Sequence, residues 1–272
     1  MTETLTNKKW TLGARPETSV SREHFKFETE IVRPLADGEF LVKNQYIAFE
    51  PAQRGWLNDV RSYLPPVAIG EVMRSGAAGE IIASKHSDYQ AGELVQGSFG
   101  WQEYAISDGT GLFPVTKIPA GIPMSYPLHI FGLTGLTAYF GLLDLGLPKA
   151  GETVLISGAA GATGSTVGQI AKLLGCRVIG IAGGQAKCQW LIDELGYDAV
   201  IDYKSDSVEQ QLQEVCKNSI DLFFDNVGGE ILDHALVNMA NNGRIVLCGG
   251  ISSGYQVKEL PPGPKNYMQL VI

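Results

Sequence analysis

The chain has 272 residues, 44% hydrophobic and 18% charged, enough apolar material for one large or two modest cores and the balance of a globular protein. A net charge of −8 argues against nucleic acid or an anionic membrane as the main partner. The four cysteines, Cys176, Cys188, Cys216 and Cys248, form no Cys-x-x-Cys pair and avoid the first half of the chain, so neither a disulfide framework nor a zinc ribbon is expected.

The opening segment, MTETLTNKKW, lacks the apolar core of a signal peptide, and a cytoplasmic location is expected. As far as about residue 120 the pattern is short β-rich runs broken by Gly, Pro and Asp, such as 40–43 (FLVK), 80–84 (EIIAS) and 94–97 (LVQG). These predict a mostly β domain over residues 1–124. The most apolar stretch, 128–147, is interrupted by Gly132, Gly135, Gly141, Gly146 and Asp144, which disfavours a membrane span. Its part 133–146 predicts a buried helix entering a second domain over 125–272.

Strand-like runs follow at 153–157 (TVLIS), 177–182 (RVIGIA), 199–203 (AVIDY), 220–224 (IDLFF) and 243–248 (GRIVLC). Helical patterns separate them at 163–174, 186–195, 206–217 and 230–239. Strands alternating with helices imply an α/β, doubly wound parallel sheet of the Rossmann type, because parallel neighbours need crossovers. Such a sheet usually has six strands, and the sixth is not visible. The apolar, uncapped end at Ile272 suggests a chain cut short, its Rossmann domain incomplete and lacking the last strand.

The strongest chemical signal is 157–169, SGAAGATGSTVGQ, directly after a strand and opening a helix. A pyrophosphate must approach backbone N–H groups without a Cβ in the way, and a helix N-terminus adds partial positive charge. The G-x-x-G-x-x-G spacing of Gly158, Gly161 and Gly164 is weak alone; its place at the first strand–helix turn of the β/α series strengthens it. A turn chosen only for packing is the plainer alternative. About 20 residues on, a carboxylate would hold an NAD ribose. Here the second strand ends in Gly183, Gly184 and Lys187, so NADP(H) is favoured, with Lys187 and Tyr203 beside the 2′-phosphate. An ordinary solvated lysine and a packing tyrosine are the alternatives. Asn226 in FFDNVGG, after the fourth strand, is a candidate cofactor contact or a simple turn residue.

The first domain offers no zinc site: it has no cysteine, and His24 and His86 have no partner at metal spacing. No G-x-S-x-G elbow is present for hydrolysis. Tyrosines and a few lysines remain as proton donors, an inventory suited to hydride transfer onto an activated carbon–carbon double bond.

The blocks 63–73 (YLPPVAIGEVM), 99–104 (FGWQEY), 135–143 (GLTAYFGLL), 160–175 (AGATGSTVGQIAKLLG), 224–229 and 260–264 (LPPGP) resemble the zinc-independent medium-chain dehydrogenase/reductase family. Within it they are similar to the NADP-dependent alkenal/one double-bond branch, which holds prostaglandin/leukotriene and curcumin reductases. That resemblance implies a GroES-like first domain and contact of Gly161, Ala162, Thr163 and Gly164 with the pyrophosphate. It implies Asn226 with Cys248, Gly249, Ile251, Ser252 and Ser253 along the nicotinamide, and Tyr46, with Arg54 nearby, at the substrate. The implied activity is NADPH-dependent reduction of α,β-unsaturated ketones or aldehydes, without metal, with Tyr46 or cofactor hydroxyls at the enolate oxygen and Tyr255 or water as proton donor. The chain departs from the family at Ala52 and Gln53 (commonly Tyr-Met), at Thr134 (commonly Pro), and at an extra Gly254 before Tyr255. The family's pairing strand is missing, so its homodimer is not expected here. Quinone reduction, or an inactive NADP-binding truncated product, are the competing readings.

Overall fold

The computed structural model describes residues 5–111, 113–205, 207–253 and 262–270. It divides into two compact units, Met1–Gly132 and Leu133–Ile272.

In the first unit β1 (Thr6–Leu12) pairs antiparallel with β2 (Phe25–Ile31). Next come β3 (Phe40–Ile47), the short helix α1 (Ala52–Trp56), β4 (Ala77–Ser84), β5 (Leu94–Gly97), β6 (Tyr104–Ser107) and β7 (Thr116–Lys117). The last five strands form an antiparallel sheet in the order β6-β3-β4-β5-β7. Phe40, Val42, Ile81, Val95 and Ala105 line its buried face with Phe99 and Val115. A second cluster joins Leu12 to Trp56, Leu57, Leu64, Val67 and Met73, seating α1 against the pair of β1 and β2.

The second unit opens with α2 (Leu133–Phe140), which continues as a wider π-helical turn over Gly141–Gly146. The expectation of a buried helix is only half right. Gly135, Ala138, Leu142 and Gly146 are buried in one stripe, while Leu136, Tyr139, Phe140 and Leu145 are exposed. Small residues dominate the stripe because the helix lies close on the sheet, where a Cβ on Gly146 would stand 3.0 Å from the Leu222 side chain. Then follow β8 (Thr153–Ser157), α3 (Ala162–Leu173), β9 (Arg177–Ala182), α4 (Gln185–Asp193), β10 (Ala199–Asp202), α5 (Val208–Cys216), β11 (Ile220–Asp225), α6 (Gly229–Val237) and β12 (Met239–Leu247).

These five strands are parallel, in the order β10-β9-β8-β11-β12. Side chains alternate across the sheet. Val154, Ile156, Val178, Leu222 and Phe224 pack under α3 and α4, with Val167, Ala171, Cys188 and Leu191. Leu155, Ile179, Ile181 and Phe223 pack against Leu212 and Cys216 of α5 and Ala235 of α6. Helices on both faces explain why the central strands read as continuous apolar runs. Strand order reverses between β8 and β11, and ligands of such sheets bind at the carboxyl ends of the strands flanking that point.

Candidate cofactor site

At the carboxyl end of β8 the chain turns through Gly158, whose φ of 58° is left-handed. The Gly161 amide closes the turn on the Gly158 carbonyl at 2.9 Å. Helix α3 begins at the N-cap Gly161 with no side-chain cap. The amides of its first turn therefore have no partner within the helix and are available to an anion. A Cβ on Gly161 would meet only the Gly158 carbonyl oxygen, at 3.1 Å, so the turn is otherwise open. On Gly164 it would stand 2.4 Å from that same oxygen, which makes this glycine a packing requirement. Gly161 and Ala162 are exposed, Thr163 half-buried and Gly164 buried. An open, uncapped turn at the order reversal fits a pyrophosphate.

After β9, Gly183 lies under the Tyr203 ring, whose Cζ and Oη would be 2.6 Å from a Cβ there. Gly184 caps α4, and Lys187 in its first turn is exposed. No ion pair among the described residues involves Lys187. Tyr203 is 50% exposed. The neighbouring carboxylate, Asp202, accepts the amides of Gly184 at 2.8 Å and Lys204 at 2.9 Å, both through one oxygen. These bonds hold its pKa below the ordinary carboxylate range. Asp202 thus builds the turn that presents Gly184, a role its place after an apolar run did not reveal. Lys187 and Tyr203 fit a phosphate better than a bare hydroxyl, as expected for NADP(H).

β11 ends at Asp225. Asn226 donates its side-chain amide to the Ser157 carbonyl at 2.7 Å, so one of its two amide N–H groups is engaged within the fold. Cys248 and Gly249, following β12, donate their amides to the Asp225 carbonyl at 2.9 and 3.0 Å. Burial and, secondarily, the Asp225 charge push the Cys248 thiol up. The 3-10 turn Ile251–Ser253 is held by Ser252, whose amide and hydroxyl both donate to the Val227 carbonyl. The carboxyl ends of β8, β11 and β12 thereby come together with Gly161, Asn226, Cys248 and Ser252. Tyr255 lies outside the described residues.

In the first unit Tyr46 stands on β3 opposite Ala78, half exposed. Arg54 on α1 is tied to Asn58 Oδ1 and the Thr18 carbonyl, each at 2.7 Å. Gln53 is buried and donates to the Ala48 carbonyl at 3.0 Å, so this departure from the family serves packing in the unit.

A family model described as the N-terminal domain of oxidoreductase matches residues 8–115, and one described as zinc-binding dehydrogenase matches 162–270. The chain is 42% identical over 258 residues to the NADPH-dependent curcumin reductase of Escherichia coli, covering 95% of this chain and 74% of that one. The chain belongs to the medium-chain dehydrogenase/reductase family. Prostaglandin reductase 1 of Bos taurus, another relative, is 39% identical over 94% of this chain and 76% of its own length. A crystal structure of CurA from Vibrio vulnificus in complex with NADPH superposes with a TM-score of 0.88 at 44% identity, covering 97% of this chain and 77% of that one. Although one matching model is named for zinc, no group of three or more His, Cys, Asp or Glu among the described residues could hold a metal ion. No helix among the described residues is long and apolar enough to cross a membrane.

Proposed function

We propose that this medium-chain reductase uses NADPH to reduce the carbon–carbon double bond of α,β-unsaturated ketones or aldehydes. The observation that carries it is the open glycine turn and uncapped start of α3, placed at the order reversal beside the Gly183–Tyr203–Lys187 corner. Relatives named for NADPH-dependent curcumin reduction, prostaglandin reduction and NADP-dependent 2-alkenal reduction support the same chemistry.

On this reading the first-turn amides of α3, from Ala162 to Gly164, hold the pyrophosphate, and Gly161 leaves room for its approach. Lys187 and the Tyr203 hydroxyl hold the 2′-phosphate. Asn226, held by one amide N–H on the Ser157 carbonyl, turns its Oδ1 to accept from the carboxamide, beside Cys248, Gly249, Ile251, Ser252 and Ser253. NADPH, when bound, supplies a hydride for the β-carbon, and the substrate carbonyl takes up the charge. Tyr46 or the cofactor hydroxyls would hydrogen-bond that oxygen, and Tyr255 or water would return a proton to the α-carbon.

The test is consumption of NADPH by this chain with a series of enones and enals, alongside quinones, a saturated ketone and NADH. Enone-dependent oxidation that prefers NADPH is expected. Turnover of quinones alone would replace this reading with quinone reduction, and binding of NADPH without any turnover would leave a cofactor-binding protein.

A further inference from the structure

The carboxyl ends of the two strands flanking the order reversal, β8 and β11, are joined by a fully buried pair, Ser157 and Asp225. None of the roles assigned above uses either side chain. Asp225 Oδ1 accepts three hydrogen bonds, from Ser157 Oγ at 2.7 Å and from the amides of Val227 at 2.9 Å and Gly228 at 3.0 Å. Its Oδ2 accepts the Gly228 amide at 3.1 Å. Ser157 Oγ in turn accepts the Asn226 amide at 2.8 Å.

Burying a carboxylate is costly unless donors surround it, and a carboxylate so surrounded fixes them all. Asp225 ties three segments together, two through its carboxylate and the third through its main chain. Through Ser157 it holds the end of β8, where the glycine turn starts. Through its own turn it holds Asn226 to Gly228. Its main-chain carbonyl accepts Cys248 and Gly249, and the Val227 carbonyl, in the same peptide unit as the bound Gly228 amide, accepts Ser252.

We propose that Asp225 and Ser157 are a positioning pair that fixes Asn226 and the segment 248–253 relative to the glycine turn, so that their loss misplaces the nicotinamide end while sparing the adenosine end. This rests on the cofactor reading above. Neither side chain is a catalytic residue, since both are buried under the turn they organise. The adenosine end depends on different groups, Lys187 and Tyr203 beyond β9 and β10.

The experiment compares wild type with Asp225→Asn and Ser157→Ala, measuring by calorimetry the affinities for NADPH and for 2′,5′-ADP, which lacks the nicotinamide half. Turnover with an enone, and the isotope effect from NADPH deuterated at the transferred position, are read in parallel. Asp225→Asn keeps the shape and can keep the three acceptances at Oδ1 as neutral bonds, but puts an NH2 that cannot accept where Oδ2 takes the Gly228 amide. The 2′,5′-ADP affinity should stay within about twofold, kcat should fall about tenfold or more, and the isotope effect should rise, because small misplacements of reacting groups cost that much. Ser157→Ala, which keeps the carboxylate and its amide donors, should show the same pattern at smaller size. Variants that melt lower but keep wild-type kcat, isotope effect and NADPH-to-2′,5′-ADP affinity ratio would overturn the proposal, as would equal losses for both ligands. A wild type that turns over no enone would sink the reductase reading alone. The affinity ratio would still decide this one.

Discussion

Lys187→Gln tests the cofactor choice, because the lysine is exposed, in no ion pair among the described residues and placed in the first turn of α4. Against a phosphate at about 4 Å, a unit charge is worth roughly 1 kcal/mol in bulk water and about 4 at an effective dielectric near 20. Hydrogen bonds to charged groups contribute about 1.5–3 kcal/mol net. For a side chain this open, about 2 kcal/mol is appropriate, which is roughly a thirtyfold change in affinity. Steady-state KM values for NADPH and NADH, measured together, should show NADPH weakened by about that factor and NADH hardly affected. The salt dependence of the NADPH KM should flatten too, since screening acts on exposed charges over a Debye length of about 8 Å at physiological ionic strength. Equal weakening of both cofactors, or none, would mean that Lys187 is an ordinary solvated lysine and that the 2′-phosphate is held elsewhere.

Other expectations follow from packing and titration. Gly168→Ala should destabilise the second unit by about 1–3 kcal/mol or more, because the new Cβ would lie 2.0 Å from the Tyr197 hydroxyl, itself bonded to the Gly164 carbonyl; an unshifted denaturation midpoint would contradict that fit. Arg244 on β12 donates to the Gly146 carbonyl at 2.7 Å and to Glu152 at 3.1 Å. Arg244→Ala should therefore cost roughly 1–3 kcal/mol in urea unfolding. The Arg244 hydrogen bond holds the Glu152 pKa below its usual range. A depressed carboxylate stabilises above its unfolded pKa and loses that contribution as pH falls toward the lowered value, so Glu152→Gln should flatten the acid limb of the stability curve. Burial pushes the Cys216 thiol up to about 11, and the residue is 1% exposed. It should resist thiol reagents at neutral pH until denaturant is added; rapid labelling of the native chain would refute its burial.

The second unit was legible because each of its central strands is buried on both faces and punctuated by glycine or an acidic turn. The strand-like run 220–224 stops one residue short of the strand's end at Asp225. β12 was caught only from Gly243, because its first residues, Met239–Asn242, are polar or unbranched and join the sheet through a shift in pairing with β11. In the first unit β4 was read from Glu80 although it starts at Ala77: alanine and glycine carry little strand signal, and only the pairing with β3 makes them a strand. For the site, glycine spacing pointed to the phosphate turn and missing acidity to the ribose corner. Asp202 and Asp225 were invisible in their true roles. Each is an acid after an apolar run, and only the folded turns show that backbone amides occupy them.

Those two acids separate the ends of the proposed cofactor site by how they are built. At the phosphate corner the ligand would meet long, exposed side chains carried by α4 and the end of β10, and Asp202 merely shapes the turn beneath them. Such contacts are adjustable, salt-sensitive and replaceable one at a time. At the nicotinamide end the proposed groups are main-chain atoms and one asparagine, and their positions derive from one buried residue, Asp225, whose carboxylate joins the ends of β8 and β11 and whose main-chain carbonyl accepts the amides after β12. That arrangement has few degrees of freedom, and a change in any member shifts the others. Substitutions at the first end should accordingly register in KM and in the choice between NADPH and NADH. Those at the second should register in kcat. Combining one of each, as in Lys187→Gln with Ser157→Ala, should give effects that add, because the two residues share no hydrogen-bond partner. A strongly non-additive double variant would mean that the two ends move as one body.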